Sequence, residues 1–272
     1  MTGLYFERST TAVSEAPAGD PPTVVFLHGF MGSIEDWAPL RAELEDTFDC
    51  IFIDLPGHGQ SPPLAQSKPD NAGPVVQRIA DAVLDVLDRE AIEKTHIVGY
   101  SMGGRVALHL ALCAQDRVKS LVLESTSPGL PGAAAREARA TLDSRRADAL
   151  RADGLGAFLD DWYQADLFES LRLHPRFDEI LSLRRKGDAE ALAAVIEAMS
   201  PGRQPDHWPH LRRLHIPTLL LAGALDHRYT KSTREAAALL PAAEFRIATD
   251  AGHNIHFESP KWFIQALTEF IS

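Results

Sequence analysis

The chain has 272 residues, 45% of them hydrophobic and 24% charged, with a formal net charge of −11 at pH 7. That length and balance fit one large α/β domain with a sizeable core, and the acidic excess argues against nucleic-acid partners and a polybasic membrane anchor. No apolar run reaches the roughly 20 residues that span a bilayer, and Met1–Pro22 lacks the basic-then-apolar order of a signal peptide, so the expected setting is cytoplasmic, without membrane insertion.

Residues 10–22, rich in Ala, Pro, Gly and Ser, read as a surface connection. Thr23–Leu27 is a short β-branched apolar run, read as a buried strand, and Trp37–Leu44 is helix-like. Cys50–Ile53 is a second buried strand, ending at Asp54-Leu55-Pro56-Gly57-His58-Gly59. From Pro74 to Leu87 apolar residues recur with a 3.6-residue period, at Val75, Ile79, Val83 and Val86/Leu87. Thr95–Val98 is a strand, and Arg105–Leu112 a helix. Val118–Leu123, Thr218–Ala222 and Glu244–Ala248 are further strands, and Lys261–Phe270 closes the chain as a helix. Cys50 and Cys113, the two cysteines, read as small buried hydrophobes with no need of a disulfide. Apolar strands alternating with helices predict a mostly parallel central sheet with helices on both faces.

Residues 131–213 break that rhythm. They are rich in Ala, Arg, Leu and Asp, with helical periodicity and no convincing strand. They read as an inserted helical lid over the C-terminal strand ends, where open α/β sheets place ligands. The expected organisation is a core of 1–130 and 214–272 with a lid of 131–213.

Gly99-Tyr100-Ser101-Met102-Gly103 lies between a strand-like and a helix-like run, the context of a nucleophile elbow. The tight turn would lift the Ser101 hydroxyl above the sheet, at a helix N-terminus. A serine hydroxyl needs a histidine base, and the histidine an acid that fixes its tautomer. In this chain order the acid follows the serine and the histidine comes last. Asp226 stands just past the strand Thr218–Ala222, and His253 follows the last strand in Asp250-Ala251-Gly252-His253. Asp226 as a mere helix cap before Thr230-Lys231 is the competing reading. His96, His109 and His256 read as structural. His28-Gly29-Phe30 follows the first buried strand, where an oxyanion hole would take the backbone N–H of Phe30 and that of Met102.

Arg105 lies one helical turn after Ser101, where a cation opposes the helix dipole. Either a neighbouring acid pairs with it or a substrate carboxylate does. Arg228 is two residues past Asp226, and the lid carries Arg136, Arg139, Arg145, Arg146 and Arg151. Arginine pairs bidentately with carboxylates, so the group points to a small anionic substrate. Tyr100, beside Ser101, and Trp162, in Asp161-Trp162-Tyr163, are the aromatic candidates for the pocket, Trp162 otherwise being lid core.

From about residue 23 the chain resembles the α/β-hydrolase fold family, and within it the 2-succinyl-6-hydroxy-2,4-cyclohexadiene-1-carboxylate synthases, lyases of menaquinone or phylloquinone biosynthesis. The matching stretches include Leu27-His28-Gly29-Phe30-Met31-Gly32-Ser33 with Asp36-Trp37, Asp54 through Ser61, and Gly99 through Arg105. Ser127-Pro128-Gly129-Leu130, Asp161-Trp162-Tyr163 and Ala251-Gly252-His253-Asn254 match as well. The resemblance implies a catalytic triad of Ser101, Asp226 and His253. It implies substrate contacts from Tyr100, Arg105, Arg139, Trp162, Arg228 and His28, with Arg139 preferred to Arg136. Arg228 stands where the family usually has Lys, and Met102 where it usually has Leu. The implied reaction is elimination of pyruvate from a substrate with three carboxylates, begun by proton abstraction, with no metal or organic cofactor.

The same triad would serve a carboxylesterase or a C–C bond hydrolase, and only the arginines and the lid motifs separate these readings. From another class, a hydrolase-like receptor closing on a small molecule would keep the same residues.

Overall fold

The apolar runs of the sequence form the middle of a seven-stranded sheet in the computed structural model, which describes residues 3–9, 21–64 and 73–271. In chain order the strands are β1 (Phe6–Ser9), β2 (Thr23–Leu27), β3 (Asp49–Ile53), β4 (Thr95–Tyr100), β5 (Val118–Glu124), β6 (Thr218–Gly223) and β7 (Ala243–Ala248). Their spatial order is β1-β3-β2-β4-β5-β6-β7, parallel except for β1, which runs antiparallel to β3. The expected connection at 10–22 lies outside the described residues apart from Pro21 and Pro22.

Alternation along each strand splits the core into two layers. Val24 and Phe26 of β2 pack on one face with Cys50, Phe52 and Val98, while Val25 and Leu27 pack on the other with Ile51, Ile53 and Ile97. Both faces are covered, which is why these strands read as unbroken apolar runs. The helices of the core are α1 (Arg41–Glu45), α2 (Val75–Arg89) and α3 (Met102–Cys113). The expected helix at Trp37–Leu44 is two pieces, a 3₁₀ turn over Ile34–Leu40 that contains Pro39, then α1. Cys50 is buried as expected, whereas Cys113 is exposed at the end of α3, its sulfur beside Gln77 Oε1 at 3.4 Å.

Between β5 and β6 every regular element among the described residues is helical. The segment holds α4 (Ala133–Trp162), α5 (Glu169–Leu173), α6 (Phe177–Arg184) and α7 (Ala189–Ala198). α4 is broken at Gly154, whose φ of 80° and ψ of 170° belong to no helix. Its apolar residues form their own cluster, to which the core contributes Met31 and Phe257. A buried ion pair ties this helical segment to the turn after β2: Arg184 at the end of α6 donates to both oxygens of Asp36, at 2.6 and 2.9 Å. Among the described residues no helix is long and apolar enough to cross a membrane. The chain ends with α8 (His227–Ala237), α9 (Ile255–Glu258) and α10 (Pro260–Ile271).

Candidate active site

The turn from β4 into α3 forces Ser101 to φ 49° and ψ −104°, backbone that non-glycine residues seldom adopt. Its glycines make the turn possible. A Cβ on Gly99 would lie 2.6 Å from the Cα of Gly104, and one on Gly103 would strike the carbonyls of Leu27 and His28. The helix therefore starts hard against the end of β2, with Ser101 at its N-terminus.

The structure brings Ser101, His253 and Asp226 together from three strand ends. His253 Nε2 is 3.0 Å from Ser101 Oγ, and His253 Nδ1 is 2.8 Å from Asp226 Oδ2. Asp226 makes the contacts of both readings: Oδ1 accepts from the Tyr229 N–H and caps α8, while Oδ2 faces the histidine. The donor and acceptor pattern sets the tautomer, with Nδ1–H donating to the carboxylate and Nε2 free to accept the serine proton.

The loop bearing His253 is held from below. Glu258 accepts from the backbone N–H of Gly252 and of Asn254, at 2.9 and 3.0 Å, on either side of His253. Glu124, fully buried at the end of β5, accepts from the His256 N–H and lies 2.8 Å from His256 Nδ1. The His256 ring sits 4.4 Å from that of Trp37 and 4.8 Å from that of Tyr100. His256 is thus structural, as expected, and so are His96, bonded to Ser120, and His109, bonded to His207 and Gln77.

Ser101, Phe30, Met102 and His253 open on a cavity of about 310 Å³. The N–H of Met102, the first residue of α3, has no partner within the helix, and neither it nor the N–H of Phe30 has an acceptor among the described residues. The two groups are available to a developing oxyanion.

His28 does not line this cavity. It is fully buried, its Nε2 accepts from the Leu55 N–H at 2.9 Å and its Nδ1 faces the Gly29 carbonyl at 2.7 Å. Both nitrogens are engaged, so the expected substrate contact from its ring is corrected to a structural role. Burial pushes its pKa down to about 3. Tyr100 is buried beneath Ser101 and lines a small side cavity with Arg184 and Trp162. Trp162 faces both this space and the main cavity, flanked by Phe30 and Phe158 at ring distances of 5.4 and 5.5 Å.

Arginines dominate the charged part of the wall. Arg105, Arg139, Arg146 and Arg228 line the main cavity, with Asp143 among them. Asp143 is fully buried; it accepts from Arg139 at 2.6 Å and from Arg146 at 3.1 Å, so one carboxylate serves two guanidinium groups. Arg146 also lies 5.1 Å over the Trp162 ring. Arg105 has no carboxylate partner among the described residues; its Nη1 donates to the Met199 carbonyl and to Gln204 Oε1, at 2.8 and 2.6 Å. The competing reading of Arg105 as half of an ion pair is therefore not what the structure holds. Burial lowers its pKa to about 10, which leaves it charged at neutral pH. Four arginines against one carboxylate give the wall an excess of three positive charges. A second cavity, of about 330 Å³, shares Arg105, Arg139, Arg228 and Tyr229 with the first.

Arg136 turns away to the Leu130 carbonyl, and Arg151 pairs with Glu190. Sequence reasoning did not find Tyr229, whose ring is 4.5 Å from that of His253, nor Gln204, Glu258 and Arg184. Tyr229 had a signal, three residues past Asp226. The others act across long chain separations or on backbone atoms.

Residues 22–260 match the alpha/beta hydrolase fold family. The 2-succinyl-6-hydroxy-2,4-cyclohexadiene-1-carboxylate synthase of Serratia proteamaculans (strain 568) is 33% identical over 262 residues, which cover 96% of this chain and 97% of that protein. The chloroplastic protein PHYLLO of Arabidopsis thaliana is 34% identical over 259 residues, 91% of this chain but 15% of that much longer protein. Among solved structures, MenH from S. aureus matches with a TM-score of 0.86 at 30% identity, covering 100% of this chain and 98% of that one.

Proposed function

The chain belongs to the alpha/beta hydrolase fold family, and from that premise we propose that it is a lyase of the menaquinone pathway. It eliminates pyruvate from 2-succinyl-5-enolpyruvyl-6-hydroxy-3-cyclohexene-1-carboxylate and leaves 2-succinyl-6-hydroxy-2,4-cyclohexadiene-1-carboxylate. One observation carries the reading: a serine and a histidine, the histidine backed by a buried aspartate, open on a cavity with four arginines and a single carboxylate in its wall. A substrate with three carboxylates matches that excess of positive charge. The name of the Serratia relative, a 2-succinyl-6-hydroxy-2,4-cyclohexadiene-1-carboxylate synthase, supports the same activity.

In this reading Ser101 Oγ takes the ring proton next to the succinyl carbonyl while its own proton passes to His253 Nε2. Asp226 steadies the resulting imidazolium through Nδ1. The N–H groups of Phe30 and Met102 receive the enolate oxygen. The enolate collapses to the diene, the C–O bond to the enolpyruvyl group breaks, and the proton on His253 returns to the departing oxygen. Enolpyruvate then becomes pyruvate, and no acyl-enzyme forms.

A carboxylesterase would use the same groups on an ester carbonyl. The test is a paired assay: pyruvate release and diene absorbance with the enolpyruvyl substrate, beside hydrolysis of a neutral p-nitrophenyl ester. Fast ester turnover with no pyruvate would reject the lyase. Arg105→Ala is expected to lower kcat/KM for the tricarboxylate by about tenfold to a hundredfold, the weight of a charge-assisted bond, with a much smaller effect on the neutral ester. Equal losses on both would make Arg105 structural.

A further inference from the structure

The arginines of the cavity come from α3, α4 and α8, yet one short stretch after α7 fixes three of them. Met199 gives its carbonyl to Arg105 at 2.8 Å, and Gln204 Oε1 accepts from the same Nη1 at 2.6 Å. Ser200 Oγ donates to Asp143 Oδ2 at 2.7 Å, and Asp143 holds Arg139 and Arg146. Gln204 is itself held, because its Nε2 donates to the Met199 carbonyl at 3.3 Å. Gln204 is buried, and these partners orient its amide.

The choice of an amide has an electrostatic consequence. Arg105 is a desolvated cation, and the usual partner of a desolvated cation is a carboxylate. A carboxylate at Gln204 Oε1 would neutralise Arg105 in place and remove its attraction for a ligand anion. A neutral acceptor aims the guanidinium and leaves the charge uncompensated. The contrast lies in the same wall, where Asp143 offsets one of the two charges of Arg139 and Arg146.

We propose that Gln204 is a positioning residue that fixes the Arg105 guanidinium toward the cavity while leaving its charge available to a ligand carboxylate. The proposal rests on the reading that the cavity takes a polyanion, and it is tested without the elimination reaction. The probe is propane-1,2,3-tricarboxylate, an unreactive trianion, titrated by calorimetry into the full-length protein at pH 7, with the thermal midpoint measured alongside.

Gln204→Glu keeps the size of the side chain and adds the neutralising charge; it is expected to weaken binding by about tenfold or more. Gln204→Met removes the hydrogen bond without adding charge, and is expected to weaken it by about threefold. With the enolpyruvyl substrate Gln204→Glu should lower kcat/KM by a similar factor while hydrolysis of a neutral p-nitrophenyl ester changes little, a split that a general loss of packing would not produce. Wild-type affinity in Gln204→Glu, or equal weakening in the two variants, overturns the proposal, as does a wild-type protein that does not bind the trianion. Should Gln204→Glu fail to fold, Gln204→Asn, an amide one methylene too short, decides: weaker binding at an unchanged midpoint supports the role, and unchanged affinity overturns it. If the wild type binds the trianion but releases no pyruvate, the lyase reading falls and the role of Gln204 stands.

Discussion

The loop that presents the Phe30 N–H rests on two neutral imidazoles, and its stability should fall in mild acid. His58 Nε2 accepts from the Met31 N–H at 3.0 Å while its Nδ1 faces the Pro56 carbonyl at 3.0 Å. His28 is bound in the same pattern between Leu55 and Gly29. In each ring Nδ1 carries the hydrogen and Nε2 is the acceptor, so protonation would set an N–H against a backbone N–H. Burial is the main cause that pushes both pKa values down to about 3. Below about pH 6.5 the unfolded chain takes up protons at these sites and the folded chain does not. Their contribution is therefore complete above pH 6.5 and is lost as pH falls toward 3. Between pH 7.5 and pH 5 each ring should lose about 2 kcal/mol, and the pair about 4 kcal/mol, from 1.4 kcal/mol per unit between the unfolded pKa and the working pH. His96 and His207, lowered to about 4 by burial, add to the total, so the difference between variants is the useful quantity. In His58→Gln the amide oxygen can still accept from Met31 but does not titrate. Urea unfolding at pH 7.5 and pH 5 should show the variant losing about 2 kcal/mol less than the wild type over that interval. An identical loss in both would refute the argument that His58 is held neutral in the fold.

Two further outcomes follow from the geometry. Asp226→Asn keeps the α8 cap but cannot hold the His253 tautomer, so kcat should fall by about a thousandfold or more with an unchanged melting midpoint; a loss below tenfold would remove Asp226 from the proton path. Asp36 and Arg184 have side-chain exposures of 1% and 4%, which leaves no solvent to screen a widowed charge. Asp36→Ala should therefore destabilise by about 3–5 kcal/mol, while the double variant Asp36→Leu/Arg184→Met should recover most of that loss, as read by urea unfolding.

The buried parallel strands and the elbow were legible because their physics is local. A strand covered on both faces is apolar at nearly every position, and a strand-to-helix turn this tight needs glycine wherever backbones touch. Ser101, Asp226 and His253 were legible by order, since each follows a strand end on one side of the sheet. β1 was not, because an edge strand of four residues with Glu7 and Arg8 in it carries neither an apolar run nor an alternation that stands out. The burial of Cys113 was misjudged for a similar reason: it closes an apolar helix, but on a turn that faces outward.

Residues that act on other residues were hidden for a different reason. Arg184 finds Asp36 across 148 positions, Gln204 finds Arg105 across 99, and Glu258 acts on two backbone N–H groups. None of these pairings has a periodicity or a motif. His28 shows the converse: a histidine in a turn beside the candidate site invites a chemical role, yet its two nitrogens are consumed in holding the turn.

This division bears on how one fold serves different reactions. In the proposed reaction the turns at the sheet's end would supply the proton chemistry, and nothing in the contacts among Ser101, His253 and Asp226 distinguishes an ester carbonyl from an enolisable ketone. The charges that would discriminate stand on helices around the cavity: Arg139 and Arg146 on α4, Arg105 on α3, Arg228 on α8. In the proposed reaction a substrate with its carboxylates clamped there would meet Ser101 with a ring carbon, and the serine would act as a base. A neutral ester, unclamped, would present its carbonyl, and the same serine would act as a nucleophile. On this argument the reaction is selected by orientation, through contacts remote from the reacting atoms. Loss of Arg105 should therefore lower the rate of elimination relative to ester hydrolysis in the same preparation, and a constant ratio would place the selectivity in the triad itself.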